Sequence, residues 1–204
     1  MTGLAITERR RRRAGGPPRR HDAWSNGMWG MALFVTTEAA LFGVLIATYF
    51  YLRFDAVHWP PRGVPEPSLL YPFLLLGGLV TSAVLTQLAA LAAHRRLRVQ
   101  TVAWLAGALV LQIPYLVLEI LLFRRDLHDF SPQDTAYASA YFTLLALHHA
   151  HVALGILLVA FVLLRSSRGL TTYRARGIQA VALYWLVVAA LAVAVTLTTL
   201  SPAL

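Results

Sequence analysis

The sequence of 204 residues contains no cysteine and no lysine, and only 13% of its residues are charged. The absence of cysteine excludes disulfides, cysteine-ligated zinc, iron–sulfur clusters and thiolate-bound copper. The charged share is about half that of an average soluble domain, and the hydrophobic share of 58% is well above the usual roughly 45–50%. We therefore predict an integral membrane protein rather than a water-soluble one.

Five apolar segments follow a basic N-terminal stretch, and charged or proline-rich connections separate them. Each segment has the roughly 20 residues that a helix needs to cross a hydrocarbon core of ~30 Å. Because backbone groups in lipid must be hydrogen-bonded within the segment, we predict an all-α integral membrane protein with five transmembrane helices. Residues 24–204 are predicted to form this membrane domain, with a kink at Pro114. The predicted helices span residues 28–52, 69–93, 100–123, 137–164 and 177–200.

Arginine is distributed unevenly among the connections. Residues 1–23 carry seven arginines and no long apolar segment, so we interpret them as a basic, disordered cytoplasmic tail. The tail and the second and fourth connections together hold fourteen arginines, against four on the other side of the predicted bilayer. Because loops in the cytoplasm are enriched in arginine, we predict the N-terminus inside and the C-terminus outside.

A twin-arginine signal peptide and a nucleic-acid-binding arm are alternative interpretations of the basic tail. A signal peptide needs an apolar region of only about 7–15 residues, whereas the first apolar segment has full spanning length. The membrane orientation also accounts for the net charge of +9 without an acidic ligand. We therefore predict no nucleic-acid partner, and anionic lipid stays open as a partner of the tail.

Polar residues inside the predicted helices are the main candidates for function, because they are costly in lipid. Glu38 lies about ten residues into the first helix, roughly 15 Å deep and close to the membrane centre. In the fourth helix, His148 and His151 share one face with Tyr141, whereas His149 points roughly 100° away. We predict that protonated Glu38 hydrogen-bonds to His148 or His151 and joins these two helices.

Other roles for the same residues stay open at this point. Two imidazoles at i and i+3 can both reach one metal ion, but a closed site needs more ligands than Glu38 supplies. A haem bound by two histidines needs one histidine on each of two facing helices. No such pair is predicted, because the remaining histidines lie in the tail, in connections or at helix ends. A small transporter relaying protons through Glu38 requires discontinuous, repeated helices, and only the Pro114 break is visible. We predict no metal, no cofactor bound by this chain and no catalytic residue.

Several further residues lie nearer the predicted helix ends. Glu119 is about one turn from the outer end of the third helix, where we expect it to reach the interface or to pair with Arg124. Trp29, Trp59 and Tyr71 are predicted to anchor the helices at the membrane–water interface, where amphipathic rings are enriched.

Two long motifs resemble subunit III of the haem–copper oxidases. Residues 29–53 begin WGMALFVTTEAALFG and end YFYLR, similar to the family's Ser/Thr-Glu pair and its closing Tyr-Phe-x-x-Arg. Residues 141–155 read YFTLLALHHAHVALG. There His148 and His151 occupy the two positions of the family's His-Gly-x-His motif, and His149 replaces the glycine.

Shorter matches extend this resemblance to about residues 28–185. They are Trp59-Pro60-Pro61-x-Gly63, Thr81-Ser82 and Phe130-Ser131-Pro132. In the last helix the family's Tyr-Trp is present as Tyr184-Trp185, but Leu186 and Ala189 replace the histidine and aspartate that normally follow. The chain also begins at what would be the third helix of the seven-helix form, as do the short five-helix bacterial members.

The resemblance implies subunit III of a bacterial respiratory terminal oxidase, a cytochrome c oxidase-like complex of the plasma (inner) membrane. Such a complex reduces oxygen to water and translocates protons. Subunit III itself is implied to be non-catalytic: it packs against the catalytic subunit I beside subunit II, binds phospholipid and supports assembly and proton uptake. Haem and copper are expected in the partner subunits. An accessory protein of a quinol oxidase or a nitric oxide reductase is the alternative.

The candidate residues therefore fall into two sets. The polar set inside the membrane, with structural or proton-related roles, is Glu38, His148 and His151. The set with lipid or interface roles is Trp29, Arg53 and Trp59.

Overall fold

The computed structural model describes residues 25–61 and 69–202. Within these residues it contains five α-helices and no strand, and each helix is long and apolar enough to cross a membrane. This confirms the prediction of an all-α protein with five spans. The predicted tail at residues 1–23 lies outside the described residues. The helices are α1 (Asn26–Asp55), α2 (Leu70–His94), α3 (Arg98–Asp129), α4 (Ala136–Ser167) and α5 (Thr172–Leu200).

Several helices are longer than the apolar segments from which they were predicted. A helix begins where a capping residue allows it, and hydropathy does not indicate that position. α5 starts at Thr172, where the Thr171 side chain accepts a hydrogen bond from the Arg174 backbone N–H. α3 continues to Asp129, six residues beyond the predicted end, through a charged turn outside the apolar core. Pro114 lies in the middle of α3 without ending it.

Four helices form a closed ring, with α2 packed against α3, α3 against α4, α4 against α5 and α5 against α2. α1 lies outside this ring and contacts only α4 and α5 among the described helices. Burial follows the same arrangement. Of the 18 most apolar consecutive residues in each helix, 50% are buried in α5 and 11% in α1. α5 is therefore the central helix and α1 is peripheral.

A close helix contact joins α4 to α5 at Gly155. A Cβ atom at this position would lie 2.8 Å from the Trp185 ring and 3.0 Å from the Tyr184 ring. The Trp185 indole N–H donates to the Gly155 carbonyl at 3.2 Å, and the Tyr184 hydroxyl donates to the His151 carbonyl at 2.8 Å. This contact fixes the rotation of α4 about its axis, and with it the directions of the α4 histidines.

One end of the bundle, which we call the basic end, contains the start of α1 and the α2–α3 and α4–α5 turns. The Arg96 guanidinium donates to the Leu170 carbonyl at 3.4 Å and to Thr172 Oγ1 at 2.6 Å. Arg98 donates to the Ser167 carbonyl, so arginines of one turn hold the other. No acidic residue lies at this end among residues 25–61 and 69–202. Its described arginines are Arg95, Arg96, Arg98, Arg165, Arg168, Arg174 and Arg176.

The opposite end contains the end of α1, the start of α2, the α3–α4 turn and the end of α5. Arginine is less frequent here, at positions 53, 124 and 125 of the described chain. The described acidic residues at this end are Asp55, Asp126, Asp129 and Asp134. The bundle is therefore polarised along its axis.

Candidate functional site

Three buried histidines occupy the middle of α4, and each contacts a different polar side chain. His151 contacts Glu38 of α1, whereas His148 and His149 contact Tyr115 and Glu119 of α3. The polar side chains around them form the candidate site inside the membrane.

Glu38 of α1 contacts His151 with 2.6 Å between its Oε2 and the ring Nε2. The ring Nδ1 lies 2.7 Å from the Leu147 carbonyl. A carbonyl only accepts, so Nδ1 must carry a proton. The Nε2–Oε2 contact then holds one proton, either on the carboxyl of a neutral pair or on the imidazolium of an ion pair.

This contact was predicted for either His148 or His151, and the structure forms it with His151. Both side chains are largely buried, and the Phe42 ring packs edge-on against the imidazole with 5.2 Å between centroids. The Phe42 ring covers one side of the pair. Glu38 therefore joins α1 to α4 through a shielded hydrogen bond.

His148 hydrogen-bonds to Tyr115 of α3 and makes no contact with Glu38. Its Nε2 lies 3.2 Å from the Tyr115 hydroxyl, and the residue is 3% exposed. Its Nδ1 has no hydrogen-bond partner among the described residues. Gln112, one turn before Tyr115, is fully buried, and both of its amide atoms also lack partners in the described part of the chain.

Glu119 of α3 pairs with His149, with 3.1 Å between Oε2 and Nε2. The predicted pairing of Glu119 with Arg124 is therefore wrong. Five residues further along a helix the side chain is rotated by roughly 140°, so Arg124 leaves on another side of α3 while Glu119 faces α4. His149 lies off the face shared by His148 and His151, but the sequence does not indicate which helix it contacts.

A third polar contact between α3 and α4 lies closer to the opposite end. The Tyr141 hydroxyl donates to Asp126 Oδ2 at 2.7 Å. Tyr141 was predicted to share a face with His148, and both residues do contact α3. Three side-chain contacts thus connect the same two helices, and the sequence alone predicted none of them.

The three residues predicted at the interface lie in different surroundings. Trp29 is 58% exposed in the first turn of α1, at the basic end. Arg53 lies in the last turn of α1. Trp59 packs inward: its indole N–H donates to the Tyr49 hydroxyl at 3.2 Å, and its ring lies 4.9 Å from that of Tyr137.

The two departures in the last helix differ in environment. Leu186 is 54% exposed and points away from the bundle, whereas Ala189 is buried in it. The polar contacts of α5 with α4 come instead from Tyr184 and Trp185, which donate to backbone carbonyls.

The polar groups form separate pairs and do not converge on one point. Among the described residues, no group of three or more histidine, aspartate or glutamate side chains is arranged to hold a metal ion. His148 and His151 are directed to Tyr115 and Glu38 on different helices. Within the described residues these contacts therefore connect α4 to α1 and to α3 as separate pairs.

Comparison with known proteins gives the same family as the sequence motifs. Residues 20–198 match the family model of cytochrome c oxidase subunit III. Subunit 3 of the cytochrome bo(3) ubiquinol oxidase of Pseudomonas aeruginosa is 30% identical over 167 residues, covering 81% of this chain and 79% of the relative. Cytochrome c oxidase subunit 3 of Bacillus subtilis is 30% identical, covering 78% of each chain.

A probable quinol oxidase subunit 3 of Staphylococcus haemolyticus is 27% identical over 82% of this chain and 84% of the relative. The family match reaches from before α1 to within two residues of the end of α5, and these relatives are covered over 78–84% of their length. The resemblance drawn from the motifs is confirmed: this chain belongs to the cytochrome c oxidase subunit III family.

Proposed function

We propose that this chain is the non-redox subunit III of a proton-translocating terminal oxidase in a bacterial plasma membrane. It packs against the catalytic subunit I and lies beside subunit II, which together hold the haems and coppers. The observation that carries the proposal is the family match over residues 20–198, which reaches every described helix. The five spans and the separate, non-converging polar pairs agree with this role.

The electron donor of the complex is a property of the partner subunits. The relatives include subunits named for cytochrome c oxidases and for quinol oxidases at the same 30% identity. A quinol oxidase complex is therefore the second candidate. The transporter hypothesis required discontinuous helices, and each of the five described helices is continuous.

The Glu38–His151 pair has a structural role in this proposal. It connects α1 directly to α4, with 2.6 Å between Glu38 Oε2 and His151 Nε2, and only 11% of the most apolar stretch of α1 is buried. We propose that the pair holds α1 on α4 and so supports assembly and sustained proton uptake, without being an obligatory step of the proton path.

Phospholipid binding is proposed at the basic end, between the start of α1, the end of α4 and the start of α5. A cavity of about 720 Å³ is lined there by Arg165, Arg174 and Arg176. The Arg165 guanidinium also lies 5.5 Å from the Phe161 ring and 5.9 Å from the Tyr173 ring. Guanidinium groups bind phosphate in a bidentate manner, and the apolar rings suit acyl chains.

The test of the proposal is co-purification from native membranes. A tag on this chain is expected to retain a haem-containing catalytic subunit, which an optical spectrum of the purified complex detects. The haem type and the activity with cytochrome c or with quinol then identify the donor. Recovery of the tagged chain without any haem protein, under conditions that keep other membrane complexes intact, would contradict the proposal.

A further inference from the structure

A polar cavity enters the four-helix ring from the opposite end. Its volume is about 280 Å³, and all four ring helices line it, from Tyr71 at the start of α2 to Leu200 at the end of α5. Its deepest polar residue is His148, in the middle of α4. The cavity therefore lies between the four ring helices.

The polar groups that line this cavity require hydrogen-bonding partners inside it. Glu119, Asp126 and Tyr115 contribute oxygen atoms to the wall. The Nδ1 atom of His148, in a residue that is 97% buried, has no partner among the described residues. Buried polar atoms are almost always hydrogen-bonded to protein or to ordered water. A volume of this size holds several water molecules, each occupying about 30 Å³.

The charges around the cavity favour cations. Its carboxyl groups are those of Asp126, Asp129 and Glu119, the last paired with His149, against the single Arg125, with His148 at the base. A cleft lined by one sign of charge between low-dielectric walls concentrates counter-ions. The acidic cluster and the unpartnered imidazole nitrogen are independent observations that point to the same contents.

We propose that this cavity is a hydrated site that admits water and small hydrated cations from the opposite end of the bundle as far as His148. The proposal is independent of the electron donor, and only the side from which the cavity opens rests on the orientation argued from the arginines. Neither the Glu38–His151 pair nor the basic cavity contributes to it.

Single cysteines can test the proposal, because the chain has no cysteine of its own. Thr196 on α5 and Leu145 on α4 line the cavity. Their neighbours Leu197, which is 45% exposed, and Ala146 face outward at the same depth and serve as matched controls. Each variant is assembled into the complete oxidase in right-side-out vesicles. Labelling of this subunit by membrane-impermeant cationic and anionic methanethiosulfonate reagents is then followed by mass spectrometry.

After division by the rates of the same reagents with free cysteine in solution, Thr196→Cys and Leu145→Cys are expected to react at least about tenfold faster with the cationic reagent than with the anionic one, the lower limit for focusing by a charged cleft. They should also react faster than Leu197→Cys and Ala146→Cys. Asp126→Asn keeps an acceptor for the Tyr141 hydroxyl and should reduce the cation preference at Thr196→Cys.

Equal rates at the cavity positions and their neighbours would mean that the cavity is dry, and would overturn the proposal. Equal rates with the two reagents would overturn its preference for cations. Selective labelling of Thr196→Cys in inverted vesicles alone would still support a hydrated cavity, and would contradict the proposed orientation instead. Threonine and cysteine are nearly the same size, so assembly of the Thr196→Cys complex is expected, and its haem content verifies it.

Discussion

His148, His149 and His151 are separated by at most three positions along α4, yet they contact side chains on two different helices. A contact between Glu38 and a histidine of α4 could be predicted from spacing, but the spacing did not decide between His148 and His151. The partner of Glu119 could not, because these helices are apolar on all sides. Without an apolar stripe, the sequence does not indicate how each helix is rotated about its axis.

The Glu38–His151 pair gives the first prediction. In Glu38→Gln the amide can donate to Nε2 of the neutral imidazole, so assembly, oxygen consumption and proton pumping should largely persist. In Glu38→Ala the buried Nε2 loses its partner, at a cost of about 1–3 kcal/mol, so subunit retention should fall and activity should decay sooner during turnover. Reconstituted complexes provide both measurements.

Thr37→Ala is the matched control, because the Thr37 hydroxyl donates only to the Phe34 carbonyl of its own helix. It should behave as the unmodified protein does. Immediate loss of pumping in an intact Glu38→Gln complex would show that Glu38 belongs to the proton path.

The Glu119–His149 pair gives the second prediction. Removing either side chain leaves the other buried without its partner, so His149→Ala and Glu119→Ala should each lower thermal stability in detergent. The double variant should be less destabilised than the sum of the two, with a coupling of about 0.5–3 kcal/mol as for contacting residues. Strictly additive effects would mean that the 3.1 Å contact contributes nothing to stability.

At the scale of the helices, hydropathy predicted how many there are, and packing decided where they lie. The ends were missed by up to six residues where charged turns or threonine caps extend a helix into the interface. The small residues were not equivalent either. Gly155 alone among the described glycines places a Cβ position within 3.0 Å of another helix, and only the α4–α5 geometry identifies it.

Gly155→Ala is therefore expected to destabilise the bundle. The added methyl group would lie 2.8 Å from the fully buried Trp185 ring, and overpacking of this kind costs about 1–3 kcal/mol. Gly43→Ala is the control, since no atom lies within 4 Å of its Cβ position. Thermal unfolding in detergent should show a lower midpoint for Gly155→Ala only. Equal midpoints would indicate that α4 and α5 move apart without cost.

At the scale of the whole molecule, the arginine asymmetry predicts the orientation. In the structure the α2–α3 and α4–α5 turns lie at the same end of the bundle, as the comparison of arginine numbers on the two sides assumed. Reporter fusions after Arg96 and Arg168 should therefore report the cytoplasm, and a fusion at Leu204 the outside. An exported reporter after Arg168, alongside a cytoplasmic one after Leu204, would reverse the proposed orientation.

The position of α1 outside the ring has a consequence for biosynthesis. α1 leaves the ribosome before the other helices, but the helices it contacts, α4 and α5, are the last to be made. Glu38 and His151 are 113 positions apart, and at about 5–20 residues per second their synthesis is separated by on the order of ten seconds. During that interval the Glu38 carboxyl group lacks its partner in the folded bundle, the His151 imidazole. Until α4 has been made, the Glu38 side chain must therefore stay neutral, or α1 must be held by the insertion machinery.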